Sequence, residues 1–406
     1  MIDVCSTIHR FNQTREPERL SMKYRNMRIS PFIFLRATCH LFYERVAPDL
    51  HALPTPLTWC MGDMHLENFG SYKGDNRLAY FDLNDFDEAV LAPTSWDLIR
   101  FLTSILVGAK SLGIDSDDAK ELTKEFLFSY QTVLASGKSR WVERETSTGL
   151  IRNLLTAVKL RQRCDFLDHR TIFKGDERRI RIDGKKALAV TPSQRKLVTA
   201  FLKEFAQHQS DKKFFKPIDI ARRIAGNGSL GVDRYIILVQ GKGSPDQNYL
   251  LDLKEAVPSS LAPYLNTPQP AWESEAHRVV AVQKRMQAVS MAFLQPVKMG
   301  GKPFILRALQ PSEDRVSLDG SVSTLTEVKK VIQVMGEIVA SAQLRSSGRQ
   351  GSANADELIA FAQGKQWMKP LLKLSQQCAK QVNEDWKTYC KAYDAGDFQI
   401  DLTGHS

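Results

Sequence analysis

The stretch GDMHLENFG, residues 62–70, sets an aspartate, Asp63, ahead of a histidine, His65, and an asparagine, Asn68. An acidic run, FDLNDFDEA at 81–89, follows with Asp82, Asp85 and Asp87. A carboxylate followed by an amide oxygen and a second carboxylate suits one chemistry. The first orients or deprotonates a hydroxyl, while the other two hold a divalent metal against a transferable phosphate. Asp63 is the expected base, and Asn68 and Asp85 are the expected ligands of Mg²⁺. His65 is open to two readings, a metal ligand or a brace of the turn.

Phosphoryl transfer also needs a phosphate clamp, since positioning and charge stabilisation supply nearly all of its catalysis. AGNGSLG at 225–231 offers a glycine loop, with Gly226, Asn227, Gly228, Ser229 and Gly231 as the expected ATP contacts. It precedes a strand, not the helix that a dinucleotide-binding loop requires. Lys254, on the next apolar run, completes the clamp. Taken singly, the loop is equally a tight hairpin, the lysine a snorkelling edge residue and the acidic motif a capped turn. The four together make the case.

These residues need elements to hold them. A short buried strand at 57–63 delivers Asp63, and alternation at 77–83 after Gly74-Asp75-Asn76 predicts a hairpin partner. Apolar periodicity predicts helices over 30–46, 93–113, 115–136, 148–166, 193–209, 272–294, 325–345, 355–363 and 368–395. Strands are expected at 235–240, 249–254 and 304–310. Asp183-Gly184 predicts a hairpin turn inside the basic segment 169–190, which reads as a solvated arm. Residues 1–22 read as polar and loose.

The 406-residue chain is 43% hydrophobic and 25% charged, the profile of a folded domain with ample core. No run approaches the roughly 18 apolar residues of a membrane span, and the first residues lack the apolar stretch of a secretory signal. The six scattered cysteines read as reduced thiols, so a cytoplasmic location is expected. The net charge of +10 suits an anionic partner, whether nucleotide, phosphorylated metabolite, nucleic acid or membrane surface, and equally a solvated basic face. Nucleic acid rests on charge alone and is not expected.

GDMHLENF with NDFDEAVLAPTSWDL resembles the catalytic and metal loops of aminoglycoside and choline kinases. Trp96-Asp97-Leu98 aligns with the helix after those loops, which puts the metal aspartate at Asp85, with Asp82 as fallback and Asp97 as a brace. SPFIFLRA, GDMHLENFG, FDLNDFDEA, AGNGSLG with LLDLKEA, and RVVAVQKRMQ together resemble the bacterial domain of unknown function 2252 family across most of the chain. The resemblance implies a protein-kinase-like fold, but the glycine loop comes after the aspartate motif instead of before it. The expectation is therefore an α+β, two-lobed, circularly permuted fold. Residues 1–216 would form a catalytic lobe, 217–315 a β-rich nucleotide lobe, and 316–406 helices that complete the first lobe.

The expected activity is ATP- and Mg²⁺-dependent transfer to a small-molecule or protein hydroxyl, or transfer of AMP if the nucleotide is reversed. The resemblance puts a glutamate at the Ala281 position to hold Lys254. Its absence leaves Gln283 or Glu275 as partners and opens a second reading, a nucleotide-binding pseudokinase. A metallophosphoesterase would need more histidines and a GNH element, and neither is present. Acceptor and oligomeric state are not legible.

Overall fold

The computed structural model describes residues 2–311, 314–319, 323–364 and 366–401. The architecture is α+β, an antiparallel sheet beside a helical body. The sheet has six strands in the order Gln295–Met299, Lys302–Ala308, Tyr249–Glu255, Arg234–Val239, Pro217–Arg223 and Ala187–Ala189. Along Tyr249–Glu255 alternate side chains take opposite faces, as the pleat dictates. Tyr249, Leu251 and Leu253 pack with Val198, Phe201 and Leu202 of the helix Pro192–Gln207. The opposite face carries Leu250, Asp252 and Lys254, all buried. The edge strand Ala187–Ala189 and this covering helix come from chain ahead of Lys216, so the sheet unit begins before the expected boundary at 216.

The helical body is built around Ser95–Gly108, in which every residue but Leu106 is buried. Ser116–Ser136, Leu325–Ser346 and Met368–Asp394 surround it and share one apolar core with the first hundred residues. Two small antiparallel pairs sit at its edge: Leu57–Cys60 with Val90–Pro93, and Phe69–Lys73 with Ala79–Leu83. The second is the hairpin that the Gly74-Asp75-Asn76 turn predicts.

Several local expectations are corrected. Residues 1–22 are not loose: Val4–Asn12 and Pro17–Met27 are helices, capped by the carboxylates of Asp3 and Glu16. Val4, Ile8, Leu20, Tyr24 and Met27 of these helices are buried in the shared core. The helix over 30–46 is two, Pro31–Ala37 and Cys39–His51, broken at Thr38, whose hydroxyl donates to the Phe34 carbonyl at 2.7 Å. The helix over 272–294 stops at Met286, because Asp82 captures the Ala288 N–H at 3.0 Å and Gln287 donates to the Leu83 carbonyl at 2.6 Å. In the basic segment the hairpin turns at Gly175, between Thr171–Lys174 and Glu177–Ile180, not at Asp183-Gly184. Much of that segment is exposed, residues 172–177 and 181–186 throughout, but Arg178 is buried and paired with Asp168 and Asp246. No described helix is long and apolar enough to cross a membrane.

Candidate functional site

Where the sheet meets the helical body, one cleft is lined by Asp63, His65, Asn68, Asp85 and Asp87 from one side and by Gly226, Asn227, Gly228, Ser229 and Lys254 from the other. Gly231 is not among the lining residues. It lies behind the loop with φ +90°, its backbone pressed against the Arg15 side chain. Cys39, Arg15, Arg36, Glu88 and Arg315 complete much of the wall.

The aspartate motif is built on backbone constraint. Gly62 has φ +85°, and a Cβ there would lie 2.2 Å from the Glu88 carbonyl oxygen, so only glycine fits. Asp97 braces the same turn, its carboxylate accepting from the Met61 N–H at 2.7 Å and the Gly62 N–H at 2.8 Å. Burial pushes Asp97 up to about 7, against the pull of those two donors. Asp63 then projects into the cleft, its Oδ1 accepting from Arg100 Nε at 3.0 Å and Nη2 at 2.7 Å. Its Oδ2 lies 3.9 Å from His65 Nε2. His65 Nδ1 accepts from the Glu67 N–H at 3.2 Å, and burial, with the nearby arginines, keeps the ring neutral by lowering its pKa well below the ordinary value. Asn68 donates to the Asp63 carbonyl at 2.7 Å, tying the two ends of the turn together.

The other wall is a hairpin loop between the antiparallel strands Pro217–Arg223 and Arg234–Val239. Of its glycines, Gly226 has φ +73° with Ser229 Oγ in van der Waals range of any added Cβ, and a Cβ on Gly228 would sit 3.2 Å from the Arg36 carbonyl. The loop is held from outside by the N-terminal helices. Arg15 Nη1 donates to the carbonyls of Gly228 at 2.6 Å and Leu230 at 2.7 Å, and Asn26 donates to the Asn227 side chain at 2.9 Å. Lys254 reaches across the cleft from Tyr249–Glu255 to ion-pair with Asp87 and, at 3.7 Å, with Asp85. Its partners are thus the acidic run. Gln283 instead donates to Gln287 at 3.1 Å, and Glu275 takes Arg278 at 2.6 Å.

Charge sets the protonation states. Burial lowers Lys254 to about 8, with Asp85 pulling the other way. Burial works against the charge of Asp85, but Lys254, then Arg307, Arg234 and Arg315, outweigh it and lower its pKa. Glu88 is raised by burial even though it accepts from Ser260 N. The Cys39 thiol is pushed well up by burial, which removes thiolate chemistry near neutral pH. Asp82, the fallback metal ligand, lies elsewhere: it is buried against Ala288 N–H and, at 3.5 Å, Arg345. Arg307 pairs with Asp252, at 3.1 Å, beside Arg223 and Arg234.

Sequence reasoning missed Arg100, Arg15, Arg36 and the Lys254 partner Asp87. Arg100 carried a readable signal, because an arginine inside so apolar a helix demands a buried carboxylate. Arg15 carried none, its role depending on a loop far along the chain.

A family model described as an uncharacterized protein conserved in bacteria (DUF2252) matches residues 15–392. The chain belongs to that family. No curated protein and no solved structure matches it.

Proposed function

We propose that this member of the domain of unknown function 2252 family is a phosphotransferase that binds ATP with Mg²⁺ and passes a phosphoryl group to a hydroxyl. On this reading the frame is two-lobed and protein-kinase-like, with the lobes permuted in the chain. One observation carries it: the aspartate motif and the glycine loop with Lys254, distant in sequence, line a single cleft.

The donor set fits a hard cation. Mg²⁺ is commonly held by one or two carboxylates plus waters and phosphate oxygens, not by an all-protein cage. Asp85, with a side chain 38% exposed, and Asn68, on the same cleft, are such a set. No group of three or more His, Cys, Asp or Glu side chains suited to a metal occurs among the described residues. When bound, the ion offsets the charge on the phosphate oxygens.

The chain's own residues do the rest. Arg100 holds one oxygen of Asp63 and leaves Oδ2 for the acceptor hydroxyl. The hydroxyl oxygen forms a bond to the γ-phosphorus as the bond from phosphorus to the bridging oxygen breaks. The electron pair leaves with the diphosphate, and the proton goes to Asp63. Lys254 exchanges Asp87 for phosphate oxygens, so binding replaces one ion pair with another.

Asp63→Asn tests the assignment better than Asp63→Ala, because its amide oxygen still accepts from buried Arg100, which alanine would leave with no side-chain acceptor there. The expected outcome is ATP–Mg²⁺ binding by calorimetry close to wild type and loss of ATP turnover. Undiminished turnover would remove Asp63 from the base role. The second reading, a nucleotide-binding pseudokinase, is favoured by the Lys254–Asp87 pair, which ties up the clamp. It predicts binding without turnover in wild type as well.

A further inference from the structure

We infer that the acceptor is itself an oxyanion, a hydroxy acid or phosphorylated alcohol, gripped by Arg36 and Arg315. The inference rests on the phosphotransferase reading and names its substrate class.

Both arginines line the cleft with Asp63. They converge on a single oxygen of the aspartate motif's own Glu67. Arg36 Nη1 lies 2.8 Å from Glu67 Oε2, and Arg315 Nη1 contacts that same oxygen. Two guanidiniums aimed at one point make a built oxyanion position, the geometry arginine favours for carboxylate and phosphate. Glu67 occupies that position in the resting chain, and its side chain is 37% exposed, free to swing into solvent.

Arg36 is not a solvated surface charge. Its side chain is only 10% exposed and stacks over Phe32 at 5.6 Å. Its Nε is buried with no hydrogen-bond partner among the described residues, an unmet donor that an entering anion could satisfy. Arg36 and Arg315 share the cleft lining with Asp63, so an anion that displaces Glu67 from the two guanidiniums is held in the same cleft as the base. A cationic acceptor would meet two arginines there, while the charge of Asp63 is already shared with Arg100.

The test is calorimetric titration with glycerol 3-phosphate and glycerate, against glycerol and choline, with and without a non-hydrolysable ATP analogue and Mg²⁺. The two anions are expected to bind and the neutral and cationic probes not to. Arg36→Gln and Arg315→Gln should each weaken anion binding roughly tenfold or more, the scale of a lost charge-assisted contact. Glu67→Gln should tighten it, because the internal competitor loses its charge. That result separates an anion site from a purely structural clamp, for which Glu67→Gln would only loosen the fold. Lys120→Gln, an exposed lysine outside the cleft, should leave anion binding intact. Preference for choline, unchanged or weaker binding in Glu67→Gln, or displacement of the anion by the ATP analogue would overturn the inference. Failure of the analogue itself to bind would count against the phosphotransferase reading instead, with the anion titration alone still judging the arginine site.

Discussion

Lys254 is the residue whose protonation should be easiest to follow. With its pKa lowered to about 8 by burial, it is cationic below that value and neutral above it. ATP–Mg²⁺ affinity is therefore expected to fall as pH rises from about 7 to about 9, while Lys254→Arg, charged throughout, should hold its affinity across that window. Equal pH profiles would take Lys254 out of the clamp. Asp97 gives a stability test with its own sign. Its folded pKa is raised to about 7 from an ordinary 3.8, so the stability it lends is whole below 3.8 and lost as pH rises through 7. Urea denaturation should show wild type losing stability relative to Asp97→Asn between about pH 4 and about pH 8. A constant difference would mean that Asp97 stays ionised in the fold.

At the scale of elements, the two loops are held in different ways. The aspartate turn depends on Gly62, where any side chain meets the Glu88 carbonyl at a positive φ. Gly62→Ala is expected to destabilise the fold by about 3 kcal/mol or more, measured as a shift in denaturant midpoint. The glycine loop depends on a distant helix pair through Arg15, whose carbonyl contacts fix it from behind. Arg15→Ala should speed amide exchange of residues 226–231 and weaken ATP–Mg²⁺ binding, with the sheet's exchange unchanged. If the loop stays protected in that variant, its order comes from the hairpin strands alone.

At the scale of the whole molecule, the proposed nucleotide lies between sheet and helical body and should bind only the folded chain. Saturation at a hundredfold excess over Kd should add about 2.7 kcal/mol to unfolding stability, with a matching rise in Tm. Asp85→Ala should lose the Mg²⁺-dependent part of that rise. No shift with either nucleotide or metal would remove the cleft's proposed ligand.

The sequence by itself determined the strands beside each motif, most helices of the body, and the residue types that could do chemistry. Those follow from local periodicity, turn residues and glycine placement, which act within a few residues. It also signalled which residues to look for together, Asp63, Asn68 and Asp85 with the loop and Lys254. Only the tertiary structure decided who pairs with whom. The N-terminal helices were illegible because their sparse apolar residues are buried by the far end of the chain. The partner of Lys254 was illegible because it comes from the acidic run rather than the helix after the lysine. Arg36 and Arg315 meet at Glu67 for the same reason: a buried charge takes whatever counter-charge the fold brings near, and no local pattern encodes that choice.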